Sequence, residues 1–221
     1  DQPDGDSFVL KDSLNQNAGY IGSKIHFNQA ELKKGLDKID EGIKLYPNRL
    51  DMRFGKIFVL GQIEDWSYFT SEILKTIEFS AKNNNNWTWT NNKKYDNGEK
   101  EFLLGIQSYQ LQLYNTGNDD LLKNMREIAN KVLEHYPNHI ESLSNLSITY
   151  LLTEEYDKGI EPLLKAEKIN PKDYIVLGNI ALGYKLKGDK EKAIEYYEKT
   201  VEYGDESAKE YAKQQLKELK E

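Results

Sequence analysis

The sequence predicts an all-α fold, a superhelix of stacked antiparallel helix pairs interrupted by one aromatic loop. Three observations predict it. First, Leu143, Leu146, Tyr150, Gly159, Ile160 and Ala166 return 34 residues later as Leu177, Ile180, Tyr184, Ala193, Ile194 and Thr200. Second, Pro137 and Asn145 return at the same interval as Pro171 and Asn179. Third, apolar residues recur at helical spacing between turn signals along most of the 221 residues. A fixed period of this length marks a repeat architecture, in which each unit packs mainly on its neighbours.

The elements follow in order. Residues 1–16 are polar and lack a helical apolar stripe, so a loosely ordered segment is expected there and the repeat domain over 17–221. Leu32, Leu36, Ile39, Ile43 and Tyr46 mark a helix from Ala30, which Tyr46-Pro47-Asn48 stops. Leu50 to Ile63 gives a second apolar helix, and Trp66 to Ala81 a third, with Phe69, Ile73, Leu74 and Ile77 on one face. Asn83 to Gly98 then breaks the period. The pattern restarts with Phe102, Ile106, Tyr109 and Leu113 and turns at Thr116-Gly117-Asn118-Asp119. Leu122, Met125, Ile128, Ala129, Val132, Leu133 and Tyr136 form the cleanest stripe, which ends in Tyr136-Pro137-Asn138. A proline just past a helix end cannot continue it and turns the chain back toward an antiparallel neighbour.

The period, with small and aromatic residues at those offsets, resembles the tetratricopeptide repeat, a helix-turn-helix unit. In residues 140–173, Leu143, Leu146, Tyr150, Gly159, Leu163, Ala166 and Pro171 fall at the family's packing positions. In 174–207 those places hold Leu177, Ile180, Tyr184, Ala193, Tyr197, Thr200 and Asp205, with Gly188-Asp189 in the tight turn. Small residues at Gly159 and Ala193 let adjacent helices approach closely. Leu146-Ser147 departs mildly from the pattern, and Pro162 lies inside a helix that it is expected to bend. The resemblance implies a right-handed superhelix of about five helix pairs, closed by a terminal capping helix over 206–220.

Composition narrows the function. The net charge of −7, from 37 acidic against 30 basic residues, argues against a nucleic-acid or anionic-membrane partner, and no Lys/Arg run of five or more occurs. Apolar runs such as Ile57 to Leu60 fall far short of the ~20 residues of a membrane span, so no membrane insertion is expected. Zero cysteines exclude disulfides, zinc-thiolate sites and cysteine nucleophiles, and fit an exported bacterial protein. The start at Asp1-Gln2-Pro3, without an initiator Met, carries the expectation that a targeting segment has been removed, which would place the protein in a periplasm or at a cell surface. The cytoplasm is the alternative compartment.

The resemblance further implies that the first helix of each unit lines a concave protein- or peptide-binding face. The corresponding positions hold Glu141, Ser144, Ile148, Leu151 and Leu152, then Ile175, Gly178, Leu182 and Lys185. Asn145 and Asn179 are present without a Lys/Arg pair, which disfavours a clamp for a terminal carboxylate. The expected contact residues are therefore Ile148, Leu151, Leu152 and Leu182, with Asn179 and Lys185 meeting polar backbone or a carboxylate. In the insertion, Trp87, Trp89 and Tyr95 either form an aromatic shelf for a glycan or small ligand or anchor the loop on the helices beneath. His135 and His139, near Glu134 and Glu141, are separated by Pro137 and read as a solvated helix end rather than a metal site. No phosphate loop, nucleophile elbow or metalloprotease motif occurs, so neither enzyme activity nor a cofactor is expected.

Overall fold

The computed structural model describes residues 7–11, 17–22 and 28–221. Ten α-helices lie among them: α1 (Gln29–Leu45), α2 (Leu50–Gln62), α3 (Trp66–Lys82), α4 (Gly98–Asn115), α5 (Leu122–His135), α6 (Ile140–Leu151), α7 (Tyr156–Ile169), α8 (Tyr174–Lys187), α9 (Lys190–Tyr203) and α10 (Glu206–Lys220). Short polar side chains start many of them. Asn28, Asp65, Asn97, Asp173, Asp189 and Asp205 each accept hydrogen bonds from first-turn backbone N–H groups that the helix itself cannot satisfy. The turn between α8 and α9 needs a left-handed residue, and Gly188 supplies it at φ 85°.

Helices α2 to α9 form four pairs, each packed on the next, with α10 laid on α9. This differs from the expected five pairs. Helix α1 stands alone before α2 and ends in Tyr46-Pro47-Asn48, the same stop that follows α5, so it occupies the place of a second helix. Ahead of α1 the chain forms an antiparallel hairpin, β1 (Ser7–Lys11) with β2 (Asn17–Gly22), in which Phe8 faces Ile21 and Val9 faces Tyr20 in register. Part of the segment expected to lack regular structure is thus a strand, because short β-prone runs need no helical period to pair. Residues 1–6 and 12–16 lie outside the described residues. Helix α7 continues through Pro162, whose ring is buried.

The apolar interior has two parts. One is built from α2 to α5 around Phe69, Ile73, Phe102, Ile106 and Ile128. The other runs through α6 to α10 around Leu163, Leu177, Ile180 and Tyr197. Polar contacts cross the seam between them. Arg126 of α5 donates to the Thr149 carbonyl oxygen at 3.0 Å and to Thr153 Oγ1 at 3.0 Å, pairs with Glu155 at 3.2 Å, and covers the Tyr150 ring at 3.9 Å. The buried Gln110 of α4 donates to the Met125 carbonyl of α5 at 3.3 Å and accepts from Asn145 of α6 at 2.9 Å.

The insertion between α3 and α4 is an anchored loop. Trp87 is 1 % exposed and stacks on Phe102, with ring centroids 5.9 Å apart, while its Nε1 donates to Ser80 Oγ at 2.8 Å. Beyond it, β3 (Thr88–Trp89) pairs with β4 (Lys93–Lys94), and the Thr88 N–H donates to the Asn48 carbonyl in the α1–α2 turn. Asn84 and Asn85 take positive φ angles of 49° and 54°, conformations that asparagine tolerates better than most residues. Removing the indole should open a cavity in the first core and release the loop together. Trp87→Ala is expected to cost about 3–5 kcal/mol of apparent unfolding free energy in urea, followed by far-UV circular dichroism. A loss below about 1 kcal/mol would show that the indole is not an anchor.

Candidate functional site

Side by side, α4, α6 and α8 enclose a cavity of ≈ 320 Å³. Leu111 and Tyr114 of α4, Ile148 of α6 and Ile175 of α8 supply its apolar walls, and Leu111, Tyr114 and Ile175 are exposed. Polar groups ring the same space: Asn145, Asn179, Glu141 and Asp173. Helix geometry explains the grouping. Ile148 lies seven residues after Glu141 and thus two turns along the same face of α6, while Asp173 caps α8 two residues before Ile175.

Of the contact residues expected from sequence, Ile148 and Asn179 line this cavity. Leu151 does not: it is 4 % exposed and fills a notch between α7 and α8. A Cβ placed on Gly159 would come within 2.7 Å of Leu151 Cδ2, so this glycine makes room for the leucine, whereas one on Gly183 would sit at an ordinary contact distance of 3.5 Å from it. Lys185 is held by the terminal helix, donating to Gln215 Oε1 at 2.6 Å and to Glu218 Oε2 at 2.9 Å. This contact holds the Glu218 carboxyl below its ordinary range. Leu152 is exposed and Leu182 half-buried, and neither lines the cavity. Leu111 and Tyr114 escaped the sequence reading because their unit matches the repeat only in period.

The aromatic loop also separates. Trp87 is buried, whereas Trp89 is 49 % exposed and lies 6.0 Å from the Tyr95 ring. The three rings therefore share no platform.

Two titratable clusters lie elsewhere. Glu78, Glu134 and His135 bring their ligand atoms together, but Lys131 Nζ already sits among them, 3.0 Å from Glu78 and 2.6 Å from Glu134. Hydrogen bonds from Lys131 and then His135 hold the Glu78 carboxyl below its usual range. An ammonium at that point supplies the charge that a metal ion would bring, and would have to leave first. His139 does not join this cluster. Its Nε2 lies 3.1 Å from Glu141 and its Nδ1 2.9 Å from Ser142 Oγ, an order that superficially matches an activated serine. Ser142 is 1 % exposed, however, so no substrate carbonyl can reach its oxygen. Among the described residues, no helix is long and apolar enough to cross a membrane.

No protein-family profile matches the chain. BBSome complex member BBS4 of Bos taurus is 37% identical over 83 residues, covering 37% of this chain and 15% of that protein. The Mus musculus protein of the same name is 35% identical over 83 residues. The match thus spans about 15% of the length of these curated relatives. Over most of the chain the structure is similar to that of YrrB, described as a TPR protein with an unusual peptide-binding site: the TM-score is 0.52 at 16% identity, covering 84% of both chains. This is a tetratricopeptide-repeat fold. The structure of MamA gives a TM-score of 0.51 at 14% identity, covering 79% of this chain and 84% of that one. At these identities the likeness speaks for the fold alone.

Burial of His139 holds its imidazole below the ordinary histidine range, against the opposing pull of the Glu141 and Glu99 carboxylates. The folded state therefore binds a proton less readily than the unfolded chain. Stability contributed by the neutral ring is complete above about pH 6.5 and declines as the pH falls below it. Urea midpoints collected from acid to neutral pH should show that decline, and His139→Gln should flatten it. An unchanged slope in the variant would mean that other groups carry the dependence.

Proposed function

We propose that this chain is a non-catalytic scaffold that holds a protein or peptide in the groove formed by α4, α6 and α8. One observation carries the reading: Leu111, Tyr114 and Ile175, all large, apolar and exposed, surround one cavity together with Ile148. Single exposed apolar side chains are ordinary on a protein surface. Their convergence on one concavity ringed by amides is the usual arrangement for binding an apolar segment. A volume of ≈ 320 Å³ lies at the low end of ligand pockets, which suits a few side chains of a longer segment better than a whole helix. The contact set becomes Leu111, Tyr114, Ile148, Ile175 and Asn179, without Leu151, Leu152, Leu182 or Lys185.

The descriptions of YrrB as having a peptide-binding site and of BBS4 as a member of a complex agree with an interaction role. The net charge of −7 speaks against nucleic acid as the partner. A second reading rests on Trp89, whose half-exposed ring beside Tyr95 could stack on a glycan or small ligand.

The two readings separate in one experiment. Ile175 is 59 % exposed, so Ile175→Glu should fold normally and reduce capture of a native partner from lysate by roughly tenfold or more. Leu152→Glu, exposed but outside the cavity, should leave capture unchanged, and Leu151→Glu should fail to fold because it buries a charge. Capture that survives Ile175→Glu and is lost with Trp89→Ala would replace the groove with the loop.

A further inference from the structure

The polarity of the groove selects the chemistry of its occupant, an inference that rests on the groove being the peptide site. Its starting point is Gln110, which is fully buried between α4, α5 and α6. The Met125 carbonyl beside it can only accept, so Gln110 must turn its Nε2 that way. Gln110 Oε1 then faces α6, and Asn145 must answer with its own Nδ2, at 2.9 Å. Asn145, which lines the cavity, is therefore left with Oδ1 as the end not committed to Gln110. A buried backbone carbonyl thus fixes the direction of an amide at the groove wall through a single intermediate.

The two carboxylates at the groove share that sense. Glu141 offers a carboxylate on the first turn of α6, shared with His139 at 3.1 Å. Asp173 offers another at the start of α8, and its Oδ1 already accepts from the N–H groups of Ile175 and Val176. Those two N–H groups would otherwise be the natural place for an incoming anion. They are taken. Among the described residues, no lysine or arginine lines the cavity. The groove therefore combines apolar walls with two carboxylates and an amide oxygen, and against the desolvation of an incoming carboxylate it sets only neutral groups such as Gln107, Ser144 and Asn179.

We propose that the groove takes a peptide segment in which apolar side chains are flanked by lysine or arginine, with cationic or N–H donors directed at Asn145 Oδ1, Glu141 and Asp173. It does not take a free C-terminal carboxylate.

The test uses the full chain, immobilised, and two pools of C-terminally amidated octapeptides. Apolar positions in both are Leu, Ile, Phe or Tyr. Charged positions are all Lys or Arg in one pool and all Asp or Glu in the other. A third pool repeats the basic set with free C-termini. The basic amidated pool should be retained at least tenfold over the acidic pool. Glu141→Lys should reduce that retention severalfold, while Glu210→Lys, which makes the same charge change on the exposed face of α10, should not. Preference for the acidic pool, or for free C-termini, with retention lost in Ile175→Glu, would overturn the charge assignment and leave the groove standing. Equal loss from Glu141→Lys and Glu210→Lys would reduce the preference to net charge and overturn it too. Absence of retention in every pool, or retention unaffected by Ile175→Glu, would overturn the groove itself.

Discussion

No helix pair of this chain can bury its own apolar stripe, and the structure is organised by that shortfall. Each pair presents apolar side chains on both sides, and only the next pair covers them. Leu151 shows the dependence at the level of one residue. It belongs to α6, yet the space that it fills exists because Gly159 of α7 has no side chain, and Gly183 of α8 meets it from the other side. Three helices from two repeats therefore have to be in place before one leucine is buried. The ends of the array answer the same constraint. Helix α10 turns Ala212 and Gln215 inward, while its outward positions carry Lys213, Gln214 and Lys217.

Much of the fold is legible because the residues that specify it act locally. Tyr46-Pro47-Asn48 and Tyr136-Pro137-Asn138 stop their helices through the backbone of proline alone, and Gly188 turns the chain through its own φ. The groove is less legible because its membership is decided across repeats. The apolar residues of α6 run nearly all round the helix, so the sequence cannot say that Ile148 faces a cavity while Leu151, three residues on, faces Gly183. Lys185 looks like a free cation until α10 brings Gln215 and Glu218 to it from 30 and 33 residues away. Trp87 in its asparagine-rich loop reads as either a ligand shelf or an anchor, and Ser80 and Phe102 on two different helices make it the anchor. The hairpin β1–β2 escaped notice for another reason. A search for the helical period passes over short strands.

The polar groups inside the array join its parts more than they build a reactive centre. Arg126 reaches α6 and the start of α7 from α5, and Gln110 ties three helices through one carbonyl and one amide. Such contacts are directional where apolar packing is not, so they set the rotation of one pair against the next. At Asn145 the same network reaches the groove. The orientation of a surface amide is thus determined by a side chain that solvent never meets.

The placement of the tryptophans gives the molecule an optical asymmetry. Trp66, Trp87 and Trp89 all precede Phe102, and the helices from α5 onward carry tyrosine alone. Indole emission consequently comes from one half of the array. Fraying that begins at α10 and spreads inward is dark in that channel, whereas loosening of the loop transfers a dry ring into water beside one already half wet. Emission and helicity measured together would therefore show from which end this array comes apart.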